Sequence, residues 1–200
     1  MRGLYLITPD ETNTDRLLQR VDAVLASATL LQYRNKSAAP ALRRAQVEAL
    51  LPLCRRHGVP LIVNDDWRLA QATGADGAHL GRDDGALRQA RAALPADAIL
   101  GASCHDSMDL ARDAVDAGAS YVAFGAFFPS PTKPGARRAP TQLLRDAASL
   151  NIPKVAIGGI RPENVPSLIA AGADLVAVIS GVFDAPDPAA AARACRGGFD

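Results

Sequence analysis

AILGASCHDSMDLARDAVDAGASYVAFG, residues 98–125, sets the reading of the whole chain. It opens on the apolar run AILGAS (98–103), crosses an alanine-rich stretch, halts at Gly118 and resumes as SYVAFG (120–125). Near-continuous apolar runs, rather than strict alternation, suit strands covered on both faces, as parallel strands are. Glycine suits the left-handed residue just past a helix end, so the segment reads as strand, helix, helix stop, strand.

The same punctuation recurs in GADGAH from Gly74 and GADLVA from Gly172. Further apolar runs lie at LYLIT (4–8), TLLQYR (29–34), PLIVN (60–64), GAHL (77–80), PKVAIGG (153–159) and DLVAVIS (174–180), which brings the total to eight. Helical spacing fills the gaps, as in Leu17, Leu18, Val21, Val24 and Leu25, or Leu42, Val47, Leu50 and Leu53, and PAAAARA (188–194) reads as the last helix. Eight strand–helix units predict an α/β fold, a closed (β/α)8 TIM barrel in one domain, smaller than the usual size of about 250 residues. An open doubly wound sheet is the alternative. Against it, no GxGxxG follows the first strand, and polar groups follow nearly every strand rather than one switch point.

Composition narrows the partners. Two hundred residues at 48% hydrophobic content support one sizeable core. Lys+Arg 22 against Asp+Glu 21 gives a net charge of +1, without the basic field that nucleic-acid binding exploits, so the expected partner is a small molecule. Cys54, Cys104 and Cys195 form no CxxC pair, which fits a reduced, cytoplasmic protein. No signal-peptide pattern precedes LYLIT, and no apolar run approaches the roughly 20 residues that span a bilayer, so no membrane partner is expected.

In a barrel the C-terminal ends of the strands share one face, where active sites form. The second strand brings Gln32, Arg34 and Lys36, spaced by two so that they point the same way. A solvated strand end is the plain reading; a phosphate or diphosphate site is favoured, because three long polar side chains on a buried strand need a ligand or solvent. The third strand ends in Asn64-Asp65-Asp66 and the fourth in Gly81-Arg82-Asp83-Asp84. Carboxylates on adjacent strand ends beside such cations suit Mg2+, while an Asp after a strand also caps the next helix; the two readings can hold for different residues. After the seventh and eighth strands, Gly158-Gly159-Ile160 and Ile179-Ser180-Gly181 allow close backbone approach to a phosphate, which is favoured here over a simple tight turn.

Other residues draw structural readings. His57 is a helix-terminal surface residue, His79 a hydrogen-bonded core histidine rather than a base, and Trp67 packs in the helix after the acidic cluster. Cys104 is a weak nucleophile candidate, since the adjacent Ser103 and His105 side chains diverge from it along a strand. In FFPSPTKPGARRAP (127–140), three prolines restrict the backbone around Ser130, Thr132 and Lys133, and Arg137 and Arg138 could fold over phosphates as a lid.

With these positions in view, the chain resembles the thiamine-phosphate synthase family. LYLIT, QYRNK, NDD, GAHLGRDD, GAS, FGAFFPSPTK, VAIGGI and AVIS stand in the family's order and approximate spacing over almost the whole chain, 1–200. The resemblance implies a transferase that joins 4-amino-5-hydroxymethyl-2-methylpyrimidine diphosphate to 4-methyl-5-(2-phosphoethyl)thiazole, with Mg2+ as cofactor and a homodimer as one arrangement it allows. Carried over by motif, Gln32, Arg34, Lys36, Asn64, Ser103 and Lys133 bind the pyrimidine diphosphate, with Arg34, Lys36, Lys133 and Ser103 serving the chemistry. Asp65 and Asp84 hold the metal, and Ser130, Thr132, Gly159, Ile179 and Ser180 line the thiazole phosphate site. Ser130 stands where the family more often has Thr, and the sequence opens directly on its first strand, where many members carry a leading helix. The rivals are the related thiazole tautomerase, which needs no diphosphate-and-metal site such as QYRNK and the acidic clusters imply, and a noncatalytic phosphate-binding barrel.

Overall fold

The computed structural model describes residues 1–81, 87–129 and 137–199. Each apolar run is a strand: β1 (Gly3–Ile7), β2 (Ala28–Tyr33), β3 (Leu61–Asn64), β4 (Gly77–Leu80), β5 (Ile99–His105), β6 (Tyr121–Gly125), β7 (Lys154–Ile157) and β8 (Leu175–Val178). Every strand pairs in parallel with its neighbour in sequence, and β8 returns to β1, closing the barrel. The crossovers carry α1 (Thr14–Leu25), α2 (Pro40–His57), α3 (Trp67–Thr73), α4 (Leu87–Ala93), α5 (Met108–Asp116), α6 (Gln142–Asp146) and α7 (Val165–Ala170), followed by α8 (Ser180–Phe183) and α9 (Pro188–Gly197). The doubly wound alternative is excluded by the closure.

The three glycines after helices all take left-handed backbone, with φ of +71° at Gly74, +90° at Gly118 and +106° at Gly172. Two expected strands run too long. PKVAIGG ends as a strand at Ile157 because Gly158 and Gly159 turn to φ +103° and +62°, and DLVAVIS ends at Val178 because Ser180 opens α8.

Strand parity divides the core into two layers. Leu4, Leu6, Val122 and Phe124 point outward into the shell beneath the helices, whereas Tyr5, Ile7, Tyr121 and Ala123 point into the barrel. The interior is packed rather than hollow, as barrel interiors are. Its largest side chains are tyrosines: Tyr121 meets Tyr5 edge-to-face with ring centroids 5.7 Å apart, and it stacks on His79 at 5.6 Å. Gly101 makes this possible, because a Cβ there would overlap the Tyr121 ring. The phenols thus cross the barrel axis, with their hydroxyls inside.

Candidate active site

The strand ends converge on one mouth, and β2 supplies most of its charge. Beyond Gln32 the odd positions turn away from the barrel. Tyr33 donates to Gln46 Oε1 at 2.8 Å, and Asn35 Nδ2 donates to the Glu11 carbonyl at 2.7 Å and to Gln46 Oε1 at 3.1 Å. Fixing these two under α2 leaves Gln32, Arg34 and Lys36 on the opposite face, as the spacing by two predicts.

The segment after β1 holds this end in place. Thr8, fully buried, donates from Oγ1 to the Arg34 carbonyl and accepts from the Arg34 N–H, each at 2.9 Å. Asp10 pairs with the Arg34 guanidinium at 3.3 Å and accepts from the Lys36 N–H at 3.1 Å. Neither Thr8 nor Asp10 stands out in the sequence; the signal is their place just past a strand that neighbours β2. Thr8→Val keeps the shape but leaves a buried N–H and C=O of Arg34 without partners. We expect it to cost about 2 kcal/mol in urea unfolding.

The acidic cluster on β3 splits by function. Asp66 caps α3, accepting from the Leu69 N–H at 2.9 Å, and pairs with Arg43 at 3.3 Å. Asp65 takes φ +63°, which breaks strand parity, and its N–H donates to the His79 carbonyl at 2.8 Å. Its Oδ2 lies 3.3 Å from Lys36 Nζ. A candidate metal ligand and a candidate phosphate ligand are therefore in contact, so the carboxylate lies where positive charge is already drawn.

Inside the mouth, Ser103 Oγ bonds His79 Nε2 at 2.8 Å, and His79 Nδ1 bonds the Tyr121 hydroxyl at 2.9 Å. Tyr121 bonds Tyr5 at 2.7 Å, and Gln32 Nε2 donates to Tyr5 at 2.8 Å. Burial raises both phenol pKa values well above the ordinary range, so both hydroxyls keep their protons. His79 is the hydrogen-bonded core histidine expected, but its partners include a candidate site residue.

Opposite, the loop after β6 is laced to the loop after β7. Phe127 N–H donates to the Ile157 carbonyl at 3.1 Å and Phe128 N–H to the Gly158 carbonyl at 3.0 Å. A Cβ at Gly158 would collide with Ala126, and one at Gly159 with the Pro129 carbonyl. The far root of the loop is tied at Ala139, whose N–H donates to the Ala126 carbonyl at 2.9 Å.

A family model described as thiamine monophosphate synthase matches residues 4–182. The chain belongs to the thiamine monophosphate synthase family. Thiamine-phosphate synthase of Xanthomonas campestris pv. campestris is 59% identical over 198 residues, covering 99% of this chain and 96% of that protein. The protein of the same name from Xylella fastidiosa is 51% identical over 199 residues, covering 100% and 85%. The solved thiamine phosphate pyrophosphorylase from Pyrococcus furiosus superposes with a TM-score of 0.86 at 32% identity, covering 98% and 95%.

Within this chain, Gln32, Arg34, Lys36, Asn64, Asp65 and Ser103 sit at strand ends around one mouth. Gly159, Ile179 and Ser180 sit just past β7 and β8. Asp84, its neighbour Asp83, Ser130, Thr132 and Lys133 lie outside the described residues. Among the described residues, no group of three or more His, Cys, Asp or Glu is placed to hold a metal. Arg137, offered as part of a lid, is 87% exposed and pairs with Asp106 at 3.1 Å. No helix among the described residues is long and apolar enough to cross a membrane.

The three cysteines are inert by placement. All are free and buried, and burial pushes the Cys54 and Cys104 thiols up to about 12 and Cys195 up to about 11, from an ordinary 9.0. A thiol nucleophile at Cys104 is thereby set aside. The folded chain keeps these protons where the unfolded chain releases them. The contribution of these thiols to stability is therefore full below pH 9 and falls as pH rises toward 12. Native protein should resist a thiol reagent at pH 8 and react at all three cysteines once unfolded; fast native labelling of Cys104 would contradict this.

Proposed function

We propose that this member of the family is a thiamine-phosphate synthase, joining the pyrimidine diphosphate to the thiazole phosphate with release of pyrophosphate. The observation that carries the reading is the gathering of Gln32, Arg34, Lys36, Asn64, Asp65 and Ser103 at one end of the barrel. This is a mouth rich in cations and hydroxyls, set over a packed interior, and it suits departure of an anionic leaving group.

The donors fit a hard divalent cation. Asp65 is held in a left-handed turn with its carboxylate against an ammonium, and Mg2+ usually takes one or two carboxylates, completing its shell with water and substrate oxygens. Asp65, with Asp84, would hold it. Bound there, Mg2+ supplies neutralisation of charge on the departing diphosphate.

The chain's own groups do the rest. Arg34, Lys36 and Lys133 bind the diphosphate oxygens and offset the charge that grows as the C–O bond breaks. Lys36 exchanges Asp65 for phosphate oxygen as substrate enters. Gln32, Asn64 and Ser103 hold the pyrimidine ring, whose amino group stabilises the methyl cation left behind. Ser130, Thr132, Gly159, Ile179 and Ser180 hold the thiazole phosphate so that the ring nitrogen faces that cation. The packed interior behind the ring excludes the water that would quench it. No protein nucleophile is needed. The small-molecule partners and the three free cysteines suit a cytoplasmic enzyme.

Incubation with both substrates, with and without Mg2+, tests the reading by assay of thiamine phosphate as its fluorescent oxidation product. Product should form with Mg2+ and fall to background without it. Substrates that bind without yielding product would reject the reading.

A further inference from the structure

Five side chains from five strands form one continuous hydrogen-bonded chain across the barrel: Gln32 on β2, Tyr5 on β1, Tyr121 on β6, His79 on β4 and Ser103 on β5. Each link is 2.7 to 2.9 Å long. Proton counting gives the chain a direction. The Gln32 atom facing Tyr5 is Nε2, which can only donate, so the Tyr5 oxygen accepts there; its own proton, buried with the ring, then needs an acceptor, and the one in reach is the Tyr121 oxygen. Tyr121 spends its own proton on His79 Nδ1, which must then be the unprotonated nitrogen. His79 Nε2–H therefore donates to Ser103 Oγ, and the Ser103 proton is left to point outward.

The Gln32 end is open as well. Its Oε1 makes no hydrogen bond among the described residues, yet no buried side-chain N or O among them lacks a partner, so this oxygen faces the mouth. We infer that Tyr5, Tyr121 and His79 are positioning residues that lock the mouth into a fixed polarity, an acceptor at Gln32 and a donor at Ser103. The ligand this selects presents an N–H or O–H donor to Gln32 and an acceptor, such as a ring nitrogen or a phosphate oxygen, to Ser103. Reversing any one link reverses the polarity of those beyond it. The inference rests on the proposed placement of Gln32 and Ser103 against the pyrimidine diphosphate. It adds that their hydrogen-bonding roles are set by three residues that need not touch substrate.

The direct readout is the His79 imidazole in ligand-free enzyme, observed by long-range proton–nitrogen NMR of histidine-labelled protein, with His57→Gln and His105→Gln assigning the other two signals. The expected result is the Nε2–H tautomer in the wild type and a shift toward mixed tautomers in Tyr121→Phe, which removes the donor to Nδ1. An Nδ1–H tautomer, a doubly protonated ring, or a Tyr121→Phe spectrum identical to wild type would overturn the inference. Kinetics separate positioning from packing. His79→Gln offers one acceptor and one donor and should retain kcat/KM for the pyrimidine diphosphate within about threefold, whereas His79→Leu should lose about tenfold, the loss of one hydrogen bond's discrimination. KM for the thiazole phosphate should change by less than about twofold in both. Equal losses in the two variants would also overturn it. If His79→Leu fails to fold, the wild-type tautomer still decides. Absence of coupling activity in a wild type with the expected tautomer would count against the proposed reaction, not against the chain's polarity.

Discussion

Asp65→Asn is expected to lower turnover by about 100-fold or more while leaving the thiazole phosphate affinity within about threefold. Asparagine is chosen because residue 65 sits at φ +63°, where Asp and Asn are tolerated and most other residues are strained. The substitution removes the charge and keeps the turn. It also frees Lys36, whose ammonium now lies 3.3 Å from the carboxylate. That pair is partly exposed, and its loss should change stability by less than about 1 kcal/mol. Asp65→Ala should show the same kinetic defect with an added backbone penalty of about 1 kcal/mol. The comparison separates charge from folding. Steady-state kinetics and calorimetry of thiazole phosphate binding supply the two numbers, and wild-type turnover in Asp65→Asn would remove Asp65 from the metal site.

Gly101→Val is expected to destabilise the barrel by about 3 kcal/mol or more. The reason is steric. Position 101 faces inward on β5, and the space a side chain would fill is already held by the Tyr121 ring, itself fully buried. Tyr121 cannot retreat without giving up its contacts with both Tyr5 and His79. Urea unfolding should show a lowered midpoint, and Tyr121→Leu in the same chain should restore part of it, a failure of additivity that marks contact. A Gly101→Val protein as stable as wild type would mean that the tyrosine pair does not fill the barrel interior as described.

The two predictions mark what the sequence reveals and what it hides. The strands were legible because parallel barrel strands are buried on both faces and read as unbroken apolar runs, and because the crossovers before β4, β6 and β8 end in glycine. The β2 end was legible because Gln32, Arg34 and Lys36 obey a period of two, and the structure places Tyr33 and Asn35 on the other side. The support beneath them was not. Thr8 closes the apolar run LYLIT and Asp10 follows it, and the role of both arises only when β1 lies alongside β2. The chain from Gln32 to Ser103 was hidden for a stronger reason. It links β1 to β6 across the barrel, a contact between strands that are not neighbours in the sheet, and it depends on a missing side chain at Gly101. His79 could be read as a bonded core histidine; which partners it bonds could not. The acidic motif divides for a local reason, since one Asp completes the next helix and the other turns left-handed toward Lys36.

The central claim is that this mouth expels diphosphate and joins two rings, rather than holding phosphorylated ligands. The most direct test measures pyrophosphate and thiamine phosphate together, at substrate concentrations where calorimetry shows both ligands bound and Mg2+ is present. The account predicts one pyrophosphate released for each thiamine phosphate formed. Saturated binding of both ligands without pyrophosphate release would contradict it and leave a phosphate-binding barrel.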